Sequence, residues 1–166
     1  MSLEKINNAS IEQVYRIFES CCCAPKWIES MTNARPFTQA KDLFSASDEC
    51  FMQLTEADYL SAFEGHPQIG NLQTLQDKYA NTSETASHEQ SGMSDAEKSV
   101  LEEMHALNGK YLQKFGFIFI VCASGKSAQQ MLDLIKSRIN NEYQSELTIA
   151  GNEQAKITHI RLQKLL

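Results

Sequence analysis

His66 and the proline that follows it are the residues whose chemistry stands out most in this chain. Histidine is the side chain whose ordinary pKa allows it to exchange protons near neutral pH. Pro67 lacks a backbone N–H and has a fixed φ angle, which limits the directions in which the neighbouring imidazole can point. Gly65 is predicted to end a helix, so His66 should lie just after a helix terminus. A polar group held in such a rigid frame suits proton-transfer chemistry.

Two further side chains could complete an acid/base site. Glu89 stands beside Gln90 in a polar stretch without periodicity. It is either a solvated carboxylate or a group that orients His66 or a substrate through a charge-assisted hydrogen bond. Arg161 lies beside the apolar stripe of the last predicted helix, where it either covers that surface or offers a planar fork to a carboxylate or a ureido carbonyl. Since His66 could also be structural, these residues allow a small acid/base pocket and do not name a substrate.

The sequence does not indicate a metal, nucleotide or nucleophile site. His88-Glu89 begins like the zinc motif His-Glu-x-x-His, but Gly92 stands where the second histidine would be. No glycine-rich loop follows a strand and opens a helix, as phosphate binding would require. Cys122 has no evident base that would activate its thiol. We therefore expect no bound metal.

Composition argues against several classes of protein. The 166 residues carry a net charge of −6 and no run of Lys or Arg, which argues against nucleic-acid binding. No window approaches the ~18 apolar residues of a membrane span, and the first residues lack the apolar core of a signal peptide. The five cysteines, three of them consecutive, contain no Cys-x-x-Cys pair. They predict reduced thiols in a cytoplasmic protein.

Helix-start signals recur along the chain, whereas glycine and proline are scarce. Four-residue motifs typical of capping boxes begin at Ser10, Thr55, Ser94 and Ser127. Further helices are predicted from Pro25 and over 42–54, 71–79 and 141–166, and Gly151 could interrupt the last. Apolar residues at helical spacing predict the buried faces of the first and longest helices: Ile11, Val14, Tyr15, Phe18 and Cys22, and Val100, Leu101, Met104, Leu107, Tyr111, Leu112 and Phe115.

The run from Phe117 to Cys122 is the one β-like segment. A lone strand has no partner for its backbone, so we interpret this run as a buried extended connector. The predicted fold class is all-α: a single compact helical bundle of about seven to nine helices, forming one domain over residues 1–166.

Motifs spread over nearly the whole chain resemble the 2-oxo-4-hydroxy-4-carboxy-5-ureidoimidazoline (OHCU) decarboxylases of urate degradation. The resemblance implies an all-α homodimer that converts OHCU to (S)-allantoin without a cofactor. An ending unlike the peroxisomal Ser-Lys-Leu signal looks more like a bacterial-type member. The motifs that carry the resemblance are Trp27, Arg35-Pro36-Phe37, His66-Pro67, Glu89-Gln90, Leu107-Asn108 with Tyr111, Lys114-Phe-Gly-Phe117, and the segment from Glu153 to Leu162 with Lys156-Ile157 and Arg161-Leu162.

The resemblance also implies roles for individual residues. His66 would be the catalytic histidine and Glu89 its acidic partner. Two positions depart from the family pattern: Ala86 stands where many members have serine, with Ser87 one residue later, and Ile118 replaces a proline. The expected substrate-binding residues are Pro67, Ser87, Gln90, Arg161 and the backbone of Phe119, Ile120, Val121 and Cys122.

Two other functions stay open. A hydrolase acting on a related ureide would use His66 and Glu89 to activate water, and would release ammonia where a decarboxylase releases CO2. A non-enzymatic helical partner-binding domain would place the motifs on an exposed apolar surface instead of in a concave pocket.

Overall fold

A computed structural model of the protein describes residues 2–66 and 95–166. These two ranges contain eight α-helices and no β-strand, which confirms the predicted all-α fold class. None of these helices is long and apolar enough to cross a lipid bilayer. The helix predicted over 71–79 and the capping box at Ser94 lie outside the described residues. The helices are α1 (Leu3–Asn8), α2 (Ile11–Glu19), α3 (Pro25–Asn33), α4 (Ala40–Met52), α5 (Glu56–Glu64), α6 (Asp95–Phe115), α7 (Ala128–Arg138) and α8 (Tyr143–Leu165).

The described residues divide into two compact units. The first unit comprises residues 2–66, 120–122 and 147–166, and so contains α1 to α5 and most of α8. The second comprises residues 95–119 and 123–146, with α6, α7 and the start of α8. The single domain over residues 1–166 stays a prediction.

Side-chain caps determine where several helices begin. The predicted capping boxes at Ser10, Thr55 and Ser127 are all present, with the side chains of the first and fourth residues each accepting a free backbone N–H. Helix α4 begins at Ala40, two residues before the predicted start, because the Asp42 carboxylate accepts the backbone N–H groups of Thr38 and Gln39. These bonds also lower the pKa of Asp42, the hydroxyl of Thr38 most of all.

The buried face of α2 is narrower than its sequence suggests. Val14, Phe18 and Cys22 are fully buried as predicted, whereas Ile11 is 73% and Tyr15 37% exposed. The prediction of a buried Ile11 and Tyr15 is therefore wrong. The buried residues follow one line of four-residue steps along the helix and the turn after it.

Helix α8 continues through Gly151 without the interruption that the glycine suggested. A Cβ atom at Gly151 would lie 2.7 Å from Cε1 of Tyr59, so the glycine is needed for close packing. The Tyr59 hydroxyl donates a hydrogen bond to the Phe51 carbonyl at 2.8 Å, which holds the ring in this position. Gly116, by contrast, ends α6 as predicted and has a positive φ of 74°.

The Arg35-Pro36-Phe37 tripeptide of the sequence motif ties the chain after α3 to α1. The Nη1 atom of Arg35 donates hydrogen bonds to the carbonyls of Ile6 at 3.1 Å and Ala9 at 2.8 Å. The Asn7 side chain binds both the N–H and the carbonyl of Phe37. These contacts satisfy carbonyl groups at the end of α1, so this part of the motif has a structural role.

The core of the second unit contains a buried ion pair. Glu146 is fully buried, and its carboxylate accepts hydrogen bonds from the Tyr111 hydroxyl, from Nε of Arg138 at 2.8 Å and from Asn141 at 2.8 Å. The Arg138 guanidinium also lies 4.6 Å from the centre of the Phe119 ring. Burial, followed by the hydrogen bond to Glu146, raises the pKa of Tyr111.

The connector after α6 is neither helix nor strand, as predicted. Phe117 and Ile120 are buried in it, while Phe119, Val121 and Cys122 are partly exposed. In the division into units, Phe117 and Phe119 belong to the second unit and Ile120 to Cys122 belong to the first.

Candidate active site

His66 lies directly after α5, in the position that its sequence predicts. Its backbone N–H donates to the Phe63 carbonyl at 3.1 Å, and its imidazole is partly buried. The preceding residue, Gly65, packs so closely on Cys23 that a Cβ atom would lie 2.3 Å from the cysteine sulfur. This close contact leaves little freedom to the short segment that carries His66.

A buried hydrogen-bond chain runs from the imidazole into the first unit. Nε2 of His66 lies 2.6 Å from Oε1 of Gln154, a residue 88 positions away in sequence. Nε2 of Gln154 donates to the Thr158 hydroxyl at 3.2 Å. Both Gln154 and Thr158 are fully buried. Because they are four residues apart on α8, they face the same side of that helix.

Arg161 lies one turn further along α8, with its guanidinium close to this chain. One of its Nη atoms donates to the Cys21 carbonyl at 3.0 Å. Its positive charge acts on His66, and also on the thiols of Cys21 and Cys22. The first unit thus brings together two of the predicted site residues, His66 and Arg161.

Burial determines the protonation of the site. Removal from water lowers the pKa of His66 below its ordinary value; the hydrogen bond to Gln154 acts in the opposite direction, and the charge of Arg161 lowers the pKa further. The imidazole is therefore neutral at neutral pH, with one ring nitrogen as donor and the other as acceptor. Burial raises the pKa of Cys21, and that of Cys22 to about 11, so neither thiol is a nucleophile at neutral pH.

The connector residues of the predicted site fall in both units. Ile120, Val121 and Cys122 belong to the first unit, as His66 does. The backbone N–H of Cys122 donates to the Glu153 carboxylate at 2.7 Å, so a substrate oxygen would have to compete with that carboxylate for it. Phe119 belongs to the second unit, where its ring packs against Tyr111 with ring centres 5.2 Å apart.

Several predicted site residues lie outside the described residues: Pro67, Ser87, Glu89 and Gln90. In the described ranges no three His, Cys, Asp or Glu side chains are grouped so that they could hold a metal ion. His159, one of the other histidines, pairs with Asp48 at 2.8 Å and packs against the ring of Phe44.

Gln154 and Thr158 are site residues that reasoning from the sequence missed. The buried positions of α8 include those of Leu147, Ala150, Gln154, Thr158 and Leu162. This spacing is the core-facing stripe of the helix, in which apolar side chains are expected. Two polar residues within that stripe were the available signal, because buried polar groups are costly unless they are hydrogen-bonded.

Comparison with known proteins connects this geometry to one family. The family model described as OHCU decarboxylase matches residues 7–163. A bifunctional uric acid degradation protein of Arabidopsis thaliana is 37% identical over 145 residues, which are 87% of this chain and 45% of that protein. The 2-oxo-4-hydroxy-4-carboxy-5-ureidoimidazoline decarboxylase of Amia calva is 26% identical over 171 residues, covering all of this chain and 95% of that protein.

A solved structure supports the same connection. A crystal structure of an OHCU decarboxylase in the presence of (S)-allantoin has a TM-score of 0.72 and 33% sequence identity to this chain. The match covers 95% of this chain and 98% of that one. The chain spans less than half the length of its bifunctional relatives, 45% of the Arabidopsis protein and 32% of one from a Bacillus species.

Proposed function

The chain belongs to the OHCU decarboxylase family, and we propose that it converts OHCU to (S)-allantoin and CO2 in urate degradation, without a cofactor. The observation that carries this proposal is a neutral His66 with one ring nitrogen hydrogen-bonded to the protein, in the same unit as the Arg161 cation. This pairing supplies a proton acceptor and an anion-binding group, which a decarboxylation with proton transfer requires.

The substrate explains why no external electron acceptor is needed. OHCU has a carboxylate and a hydroxyl on one ring carbon, next to a C=N carbon that bears the ureido group. When the bond to the carboxylate breaks, its electron pair forms a C=C bond to that carbon, and the C=N electrons move to the ring nitrogen, which gains a proton. The resulting enol loses its hydroxyl proton and gains a proton at the ureido carbon, giving allantoin.

We assign His66 to the proton transfers of this sequence. A neutral imidazole can remove the hydroxyl proton through its unprotonated nitrogen and then return a proton to one face of the ureido carbon. The pKa of His66 lies below its ordinary value, so the base form persists at neutral pH. Delivery to one face only would account for a single enantiomer of the product.

Arg161 and the connector are proposed to bind the substrate. The Arg161 guanidinium has donors beyond the one that binds the Cys21 carbonyl, so it can present a planar fork to a carboxylate or a ureido oxygen. The backbone of Phe119, Ile120, Val121 and Cys122 is proposed to contact ring or ureido oxygens. Glu89, as the acidic partner of His66 that orients the substrate, and Pro67, Ser87 and Gln90 as substrate contacts, complete the proposed site.

Two properties of the whole protein belong to the same proposal. We expect a homodimer, which size-exclusion chromatography with light scattering would detect as twice the 18.7 kDa chain mass. We also expect a cytoplasmic location, since all five cysteines are free thiols, as is usual in reducing compartments.

The proposed reaction can be tested with freshly generated OHCU. The protein should accelerate the growth of the circular dichroism signal of (S)-allantoin well above the spontaneous decay, with one CO2 released per allantoin. Release of ammonia with no CO2 would indicate the ureide hydrolase instead. Decay at the spontaneous rate, with racemic product, would refute the decarboxylase. If related ureides also release no ammonia, a partner-binding domain would be favoured.

A further inference from the structure

The hydrogen-bond chain behind His66 constrains where the imidazole carries its proton. The Gln154 amide is oriented by Thr158, because the amide nitrogen of Gln154 donates to the Thr158 hydroxyl at 3.2 Å. The amide oxygen of Gln154 consequently faces the imidazole at 2.6 Å. An amide oxygen can only accept, so the ring nitrogen in this contact must carry a hydrogen.

We propose that Gln154 is a positioning residue that holds neutral His66 as the Nε2–H tautomer and leaves Nδ1 as the proton acceptor for the substrate. This inference rests on the proposed function for its catalytic meaning, although the tautomer itself is a property of the substrate-free protein. Which nitrogen of a histidine reacts is commonly determined by the hydrogen bond that the other nitrogen makes.

The burial of Gln154 and Thr158 supports a role beyond packing. Both side chains are fully buried in the core-facing stripe of α8, together with Leu147 and Leu162. Leucine would fill the Gln154 position without the cost of removing an amide from water. The amide is tolerated there because both of its polar ends have partners, His66 on one side and Thr158 on the other.

The charges around His66 allow a pH test of this contact. Among the described residues, the charged group that acts on His66 is Arg161, which lowers the pKa of the imidazole. The Cys22 thiol, on which the charge of Arg161 also acts, is neutral at neutral pH, because burial raises its pKa to about 11. Gln154 acts in the opposite sense to Arg161 and raises the pKa of His66.

Two substitutions of Gln154 should therefore move the activity profile in opposite directions. Gln154→Leu removes the bond that favours the imidazolium, so the acidic limb of kcat should move to lower pH. Gln154→Glu keeps the accepting oxygen and adds a negative charge, so the same limb should move to higher pH. A role confined to packing would give both variants the same profile as the wild type.

The value of kcat in the pH range where it is constant can also be compared between the variants and the wild type. Hydrogen-bond partners that orient metal-binding histidines are typically worth about 10- to 100-fold, and we expect a loss of kcat of similar size in Gln154→Leu, with little change in KM. Thr158→Val should lower kcat less than Gln154→Leu does, because Gln154 can still reach the imidazole ring. Thr158→Ser keeps the hydroxyl and should have the wild-type kcat. Gln163→Leu, an exposed change on the same helix, should have no effect.

NMR of substrate-free protein labelled with ¹⁵N at histidine tests the tautomer without any turnover. In the wild type at neutral pH, His66 should show a protected N–H on Nε2 and an unprotonated shift at Nδ1. Gln154→Leu should lose the protected proton, whereas Thr158→Ser should keep it. If Gln154→Leu cannot be isolated folded, Gln154→Glu and the Thr158 pair supply the comparison.

The outcomes separate this inference from the proposed function. A proton on Nδ1 in the wild type, or unchanged kcat and pH profile in both Gln154 variants, would overturn the positioning role and leave the decarboxylase proposal intact. A wild type with the Nε2–H tautomer but no acceleration of OHCU decay would overturn the proposed function while supporting the tautomer assignment.

Discussion

Helix α8 places a fully buried polar side chain in each of the two units: Glu146 in the second and Gln154 in the first. The two side chains differ in charge and in their hydrogen-bond partners. Glu146, in the second unit, accepts hydrogen bonds from Tyr111, Arg138 and Asn141. Gln154, in the first unit, is neutral and connects the buried Thr158 to a partly exposed histidine.

This difference distinguishes a structural cluster from one suited to chemistry. The Glu146 cluster contains an ion pair whose charges are neutralised within the core, so it is costly to disturb and offers no reactive group. The Gln154 cluster holds one nitrogen of His66, and the structure places no hydrogen-bond partner on Nδ1 among the described residues. An imidazole with one ring nitrogen held by a hydrogen bond and the other without one is the arrangement expected of an acid/base catalyst.

Replacement of His66 should have the largest effect on activity. His66→Ala should lower kcat by about 100- to 10,000-fold, the usual contribution of general acid–base catalysis, while the circular dichroism of the fold is retained. His105→Ala, an exposed histidine on α6, is the matched control and should behave as wild type. Wild-type turnover by His66→Ala would refute the catalytic assignment.

Replacement of Glu146 should instead affect stability. Glu146→Gln keeps the shape but removes the negative charge that faces the buried Arg138 guanidinium, and breaking a buried ion pair typically costs about 3–5 kcal/mol. Urea unfolding monitored by circular dichroism would measure the loss. Removal of an exposed carboxylate, as in Glu12→Gln, should change the free energy of unfolding by less than about 1 kcal/mol. Equal small losses in both variants would mean that the Glu146 cluster is not structural.

Arg161→Lys should show whether Arg161 acts in substrate binding or in the chemical step. Lysine keeps the positive charge but cannot present a planar fork, so we expect KM to rise about tenfold or more with little change in the melting temperature. Steady-state kinetics on OHCU would measure this change. A lower kcat at unchanged KM would place Arg161 in the chemical step instead.

The free energy of unfolding should depend on pH through His66. Its folded-state pKa lies below the ordinary value of 6.5, so at pH values between the two the unfolded chain binds more protons than the folded protein. The contribution of this site is therefore steady above pH 6.5, and stability is lost as the pH falls below that value. Urea midpoints of the wild type should show this loss, and His66→Phe should reduce it. An identical pH dependence in both proteins would contradict the assignment.

The smallest expected effect is that of chelation. Dialysis against EDTA should leave turnover of OHCU unchanged, because the proposed reaction uses an electron acceptor within the substrate. An activity that disappears on dialysis and returns with one particular divalent metal would contradict the cofactor-free mechanism.

Much of the fold was predictable because helix formation depends on neighbours in sequence. The capping boxes at Ser10, Thr55 and Ser127, the end of α6 at Gly116 and the extended connector follow from contacts within a few residues. The family also followed from the sequence, since its motifs are short and retain their order along the chain. The position of His66 just after α5 is likewise a local property.

Other features were decided only by packing between distant segments. Exposure of Ile11 and the continuity of α8 at Gly151 depend on which neighbours each helix meets, and a helical repeat does not specify them. The hydrogen bond between His66 and Gln154 joins residues 88 positions apart, and that between Cys122 and Glu153 joins residues 31 apart. The sequence by itself thus determined the helices and the residue types available for chemistry. The tertiary structure decided which buried side chain hydrogen-bonds to the histidine, because only packing brings α5 and α8 together.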